Sequence, residues 1–300
     1  MYKVEVIKEN EARFFELSNR EKTSSASICL EEGGRLKELK FNGVFLIKEQ
    51  TDFEYKDSYA SSILFPFVSR IQDGKYSFQE NDYQLNCNQT GENALHGLVY
   101  NKKFELIEKE ETTNRCSVTI GYKETKESPG FPYTYEIYLT YLLTEKEISL
   151  SVKIKNTDTK AFPFTLGWHP YFICDDLSKS VVCFKSDKKI AFDENLITKE
   201  VVAHKTPEIF KIENKQLDDC FILKTNKIGF STPTYQIEIT TDLEDNYLQM
   251  YTPLGLSVIA IEPMTGVSNS FNNKIGLQVL QPTDSYSLMW NVKFNNNYNH

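Results

Sequence analysis

Alternation of apolar and polar residues with a period of two recurs along this 300-residue chain, and it restricts the fold more than any other feature. In EISLSVKIKN, Ile148, Leu150, Val152 and Ile154 share one face while Ser, Lys and Glu take the other. Successive side chains of a strand point to opposite faces, so such a segment has one buried and one wet side. YTYEIYLTYLL aligns Tyr133, Tyr135, Ile137, Leu139 and Tyr141 in the same way, and YQIEITTDL and CSVTIGY repeat the pattern. KELKFNGVFLIKE places Asn42-Gly43 between two apolar pieces. That dipeptide marks a type I′ hairpin, whose two central residues both need positive φ. GKYSFQENDYQLN predicts a second hairpin turning near Glu80-Asn81. No convincing helix-period stretch, internal repeat or Gly/Pro/Ser-rich linker is visible. The expectation is an all-β chain forming one domain over residues 1–300, a large twisted antiparallel β-sandwich of two packed sheets. The Asn-rich end, 295–300, is expected to fray.

Composition narrows the partners. An aromatic fraction of 13% favours strands. A formal charge of −8 argues against a nucleic-acid or anionic-membrane surface, which needs a basic face. Cys29, Cys87, Cys116, Cys174, Cys183 and Cys220 show no metal-binding spacing and read as reduced thiols, as in the cytoplasm. The opening MYKVEVIKENEARFFEL lacks the apolar segment of a secretory leader, and no apolar run reaches the length of a membrane helix. A cytoplasmic protein, monomeric or homodimeric, is expected.

Five places hold residues able to do chemistry. FTLGWHPYF puts His169, one of only four histidines, between a tryptophan and a proline. The residue before proline is pushed out of the helical region, so His169 is extended, at the end of a strand or the start of a loop. Gly167 admits a close neighbour, and the flanking aromatics shield the imidazole. His96 lies in NALHGLVYNKKF, followed by Gly97. Taken alone, His96 reads as a polar loop residue before a strand and His169 as a partly buried histidine bonded to backbone. In GLSVIAIEPMTG both faces of the strand are apolar, as in a strand covered on two sides, and Glu262 continues the Leu256–Val258–Ala260 face before Pro263 ends the ladder. A partly desolvated carboxylate there has a raised pKa and suits a general base; a solvated strand-end glutamate is the alternative. Asp218 and Asp219 in QLDDCFIL read as turn residues or ligands. Arg70 follows a largely apolar run in FPFVSRIQDGKYSF, where its fork could hold hydroxyls or pair with Asp73.

Together these supply an acid, a base and polar anchors on an aromatic β scaffold, an inventory that suits a polyhydroxylated neutral ligand such as a sugar. Motifs for a serine hydrolase, a P-loop and a dinucleotide fold are absent. His96, His169 and Glu262 also have the types of a two-histidine, one-carboxylate metal site, though no metal is expected.

With FPFVSRIQDGKYSF, ALHGLVYNKKF, FTLGWHPYF, LDDCF, AIEPMTGVSNSFNNK and LQVLQPTDSYSLMWNVKF in this order, the chain resembles the aldose 1-epimerase, or galactose mutarotase-like, family. The resemblance implies that family's large twisted β-sandwich (the supersandwich) with a cleft on one sheet. It makes Glu262 the general base and His169 the general acid, with His96, Arg70 and Asp218 binding the ring oxygen and hydroxyls. Asp218 is preferred over Asp219 because the family places its aspartate three residues before the phenylalanine. Ser69 stands where the family usually has asparagine, and GVSNS replaces its Pro-Asp.

The implied activity is interconversion of the α and β anomers of an aldohexose without a cofactor. The C1 hydroxyl loses a proton while the ring oxygen gains one, so a carboxylate Glu262 and an imidazolium His169 are expected to act near neutral pH from opposite sides of the ring. A hexose-phosphate mutarotase would need cations at the cleft rim, with Lys75, Lys102 and Lys103 as candidates. A non-catalytic sugar-binding sandwich, and a glycosidase using Asp218 and Glu262, are the remaining readings.

Overall fold

The computed structural model describes residues 1–9, 12–89, 92–126, 128–213, 215–243 and 246–295. Among these, strands form a nine-stranded, an eight-stranded and a five-stranded sheet, with three two-stranded ribbons. The nine-stranded sheet is built on the alternating segments. Cys116–Glu124, Tyr135–Leu143, Glu147–Asn156 and Ser285–Asn295 are successive antiparallel neighbours in it. Leu139 stands opposite Val152, and Val152 opposite Leu288, so the apolar rows coincide and are buried. A slip of one residue would turn that whole set to water, which is why the register holds. Tyr133 is buried as expected but precedes its strand, which begins at Tyr135.

The eight-stranded sheet runs Thr198–Ala203, Lys188–Phe192, Asp218–Ile222, Tyr247–Tyr251, Val258–Met264, Gly167–Trp168, Ile63–Leu64, with Tyr171–Ile173 also paired to Val258–Met264. Its inner residues Leu248, Met250, Ile259 and Ile261 share one apolar cluster with Ile137, Val152 and Leu288 of the nine-stranded sheet. Trp168 stacks on Trp290 across the two sheets at 6.2 Å, and Phe172 meets Phe230 at 6.1 Å. Burying each such side chain stabilises the fold by about 1.5–3 kcal/mol. These two sheets are the expected sandwich. The five-stranded sheet of residues 3–47 is an addition: its strands pair with one another, yet Leu17, Ile28, Leu39 and Phe41 enter the same cluster.

Phe41 pairs with Val44 around Asn42 (φ 50°) and Gly43 (φ 78°), the predicted hairpin. The second hairpin turns one residue earlier than expected, at Gln79-Glu80, between Phe78 and Asn81. Among the described residues α-helix is limited to single turns at Tyr55–Ser58 and Ser270–Asn273. All six cysteines are free. Among the described residues no helix is long and apolar enough to cross a membrane. Asn295 closes the last strand, and the rest of the expected frayed tail, 296–300, lies outside the described residues.

Candidate active site

The strand Val258–Met264 forms the floor of a cleft, and all seven of its residues are buried, as the doubly apolar sequence requires. Period two assigns its sides. Ile259 and Ile261 enter the core. On the opposite face Glu262 neighbours Gln249, which neighbours Cys220. One rung along the same face, Ala260 lies between Tyr251 and Tyr171, and Tyr251 neighbours Asp218. Alternation therefore delivers Glu262, Gln249, Asp218, Tyr251 and Tyr171 to one surface. Pro263 does not end the ladder. It stands opposite Leu248, and Met264 pairs with Tyr247 and Gly167. Proline deletes only its own donor, and the rungs on either side hold the strand.

His169 sits at the break between Gly167–Trp168 and Tyr171–Ile173, where Pro170 forces an extended backbone. Its amide donates to the Ser62 carbonyl at 3.0 Å and its carbonyl accepts from the Ser61 amide at 2.7 Å. Gly167 is needed for packing, since a Cβ there would lie 2.9 Å from Val68 Cγ1. His169 Nε2 is 3.4 Å from Glu262 Oε1, and both side chains are almost wholly buried.

His96 and Gly97 are both left-handed, at φ 61° and 77°. The turn brings Gly97 so close to Phe65 that a Cβ would meet its carbonyl oxygen at 2.2 Å, which only glycine avoids. The His96 amide donates to the Ser69 carbonyl at 2.8 Å, and its ring stands perpendicular to that of His169, 5.0 Å away. The Nδ1 atoms of both histidines are buried without a hydrogen-bond partner.

Arg70 opens the short strand Arg70–Gln72, paired to Leu95, and its carbonyl accepts from the Asn269 amide at 2.6 Å. Asn269 belongs to the GVSNS segment; its side-chain oxygen also accepts from the Gln72 amide. The guanidinium Nε donates to Gln89 Oε1 at 2.9 Å, and no ion pair to Asp73 forms among the described residues. Asp218 and Asp219 are strand residues, not turn residues. They point to opposite faces: Asp218 accepts from Gln249 Nε2 at 2.6 Å in the cleft, and Asp219 is ion-paired with Lys189.

Arg70, His96, His169, Asp218 and Glu262 thus all line one cleft of about 320 Å³, together with Ser69, Gln89, Tyr171, Gln249 and Tyr251. Lys75, Lys102 and Lys103 do not line it. No group of three or more His, Cys, Asp or Glu among the described residues is arranged to hold a metal ion. Gln249 and Tyr251 were not marked by the sequence, because a glutamine or tyrosine in an alternating strand reads as an ordinary wet-face residue, and Gln89 lies in a loop, bridged to Asn93, with no motif to mark it. Tyr171 lay in plain view inside GWHPYF, but only as a shield.

Burial dominates the electrostatics. It pushes the Glu262 carboxyl well above the usual range; the Asp218 charge adds to this and Arg70 opposes it. Burial lowers His169 to about 4 and His96 well below its usual value. Asp218 is raised by burial against the pull of Arg70, and Arg70 is lowered by burial while Asp218 and Glu262 favour its charge. The expected imidazolium at neutral pH is therefore not what burial favours. Desolvation disfavours both members of a Glu⁻–His⁺ pair, and the neutral partners are preferred. Nor do acid and base lie on opposite sides of a ring-sized space; they are adjacent.

A family profile described as "Aldose 1-epimerase" matches residues 13–293. The chain is 24% identical over 275 residues to the Escherichia coli K12 protein YihR, described as uncharacterized, covering 87% of each. A galactose mutarotase-like protein from Clostridium acetobutylicum superposes with a TM-score of 0.86 at 21% identity, over 99% of this chain and 98% of that one. Galactose 1-epimerase from Lactobacillus acidophilus superposes with a TM-score of 0.81 at 15% identity, over 98% and 99%. With its cleft, its sandwich and a match over nearly its whole length, the chain belongs to the aldose 1-epimerase family.

Proposed function

We propose that the protein is a mutarotase that interconverts the anomers of an aldohexose through Glu262 and His169. The observation that carries this reading is the 3.4 Å contact between a buried carboxyl and a buried imidazole at the floor of a polar cleft. A cyclic aldose is a hemiacetal, and its hydroxyl oxygen and ring oxygen are bonded to the same carbon, C1. Adjacent groups can therefore serve both. Glu262 takes the proton of the C1 hydroxyl, the C1–ring oxygen bond breaks, and its electron pair leaves with the ring oxygen. His169 supplies a proton to that oxygen, and the carbonyl forms at C1. Rotation about C1–C2 and the reverse transfers close the ring on the other face.

The pair ends each half-reaction with the same number of protons it began with. No oxidation occurs, so the chemistry calls for no cofactor. A one-proton pair is the competent state, whichever member carries the proton. Arg70, His96 and Asp218 hold the hydroxyls, with charge-assisted hydrogen bonds stronger than neutral ones, and Tyr171 and Tyr251 border the apolar edge. Six unpaired thiols fit a reducing compartment, the cytoplasm.

Polarimetry of freshly dissolved α-D-galactose and α-D-glucose tests the reading. The wild type accelerates relaxation of optical rotation, and Glu262→Gln and His169→Asn each lose about 10²–10⁴ of that rate. Sugar binding that persists in a wild type without any acceleration would instead mark a non-catalytic sugar-binding protein.

A further inference from the structure

Arg70 stands in the field of Asp218 and Glu262 yet pairs with neither. Opposite charges attract strongly in a partly dry site, and a guanidinium fork matches a carboxylate well. Left free, Arg70 would fold onto one of the two acids and fill the cleft. Its Nε is instead engaged by the neutral amide oxygen of Gln89, at 2.9 Å.

Gln89 is itself anchored. Its backbone amide donates to the Asn93 carbonyl at 3.2 Å, and its carbonyl accepts from the Glu92 amide at 2.9 Å. The preceding residue, Asn88, accepts from the Leu95 amide at 2.7 Å and donates to the Leu95 carbonyl at 3.1 Å. Leu95 is the residue paired with Arg70 and followed by His96. Asn88 also donates to the hydroxyl of Tyr59, whose ring packs 4.9 Å from that of His96. Two consecutive residues thus brace two of the proposed sugar ligands, Asn88 through Leu95 and Tyr59, Gln89 directly.

We propose that Gln89 is a positioning residue that holds Arg70 away from Asp218 and Glu262, so that its terminal amino groups remain available to sugar hydroxyls. The assignment rests on the mutarotase reading of the cleft. A neutral acceptor suits the task, because it orients the guanidinium without cancelling the charge that Asp218 and Glu262 feel.

The test combines a crystal structure with kinetics of Gln89→Leu and Gln89→Glu, both checked for native circular dichroism. In Gln89→Leu the guanidinium moves into an ion pair with Asp218 or Glu262. The KM for the sugar rises about 10-fold or more, as for loss of a hydrogen bond to a charged group, while kcat stays within about 3-fold. The alkaline limb of the kcat/KM profile moves to lower pH, because a closer guanidinium favours the Glu262 carboxylate. Gln89→Glu keeps the acceptor and keeps Arg70 in place, but its charge cancels that of the guanidinium, so the alkaline limb moves to higher pH. An Arg70 that does not move in Gln89→Leu overturns the proposal, as does a KM and pH limb unchanged from wild type. An inactive wild type with a displaced Arg70 in Gln89→Leu removes the mutarotase reading and leaves the clamp standing. An active wild type with an unmoved Arg70 does the reverse.

Discussion

Replacing His169 by Asn distinguishes a neutral Glu262–His169 contact from an ion pair, through the dependence of stability on pH. Burial lowers the folded-state value of His169 to about 4, below the ordinary 6.5 of an unfolded chain. As pH falls through 6.5 the unfolded chain takes up a proton that the folded protein refuses until about pH 4. The stabilising contribution of the neutral imidazole is therefore complete above 6.5 and lost progressively below it. Between pH 7 and pH 5 the loss is about 2 kcal/mol, at 1.36 kcal/mol per unit below 6.5. Urea unfolding of wild type and His169→Asn at both pH values measures it. Every other carboxylate and histidine contributes alike to both proteins and cancels. Glu262 cancels too, since a neutral His169 imposes no charge on it that the variant would lack. The wild type is expected to lose about 2 kcal/mol more than the variant on acidification. Should the wild type instead hold or gain stability relative to His169→Asn, Glu262 has raised the imidazole by pairing with it, and the reasoning from desolvation is refuted.

The same two groups shape the activity profile: kcat/KM should form a bell with an acid limb near pH 4, where His169 takes a second proton, and an alkaline limb set by the raised Glu262. An acid limb at pH 6 or above would contradict it. Asp218→Asn should raise the KM for the sugar about 10-fold, whereas Asp219→Asn, on the opposite face with Lys189, should leave KM within about 2-fold; initial rates by coupled oxidation of the β anomer separate them. Gly43→Ala and Gly97→Ala both place a side chain at positive φ, but Gly43 has open space while Gly97 would meet the Phe65 carbonyl at 2.2 Å. The first should cost about 1–2 kcal/mol in urea denaturation and the second clearly more, together with loss of activity as His96 shifts.

Legibility followed the range of each interaction. His169 was readable as extended because the constraint from Pro170 acts on the residue directly before it, and the break at 169–170 is where the structure places it. The Asn42-Gly43 turn was readable for the same local reason. The doubly buried strand carrying Glu262 was readable from its composition, whereas the passage of that strand through Pro263 was not, because it depends on Leu248 and Gly167 across the sheet. Separating Asp218 from Asp219 needed the register against Tyr251 and Met250, since the two neighbours in sequence differ only in the face they occupy. The protonation of His169 was not readable, because an ordinary histidine value presumes water, and the sequence does not state how much of it the fold removes.

What the sequence by itself determined is therefore the local and periodic part: strands, their buried faces, two turns, and a set of acid, base and cation dispersed over nearly 200 positions from Arg70 to Glu262. The tertiary structure alone decided that these converge on one cleft, that Glu262 and His169 touch, and that Lys75, Lys102 and Lys103 stay outside it. The physical reason is that periodicity is a property of the backbone between neighbours, while proximity and protonation depend on register across strands and on water excluded by the packing of distant segments.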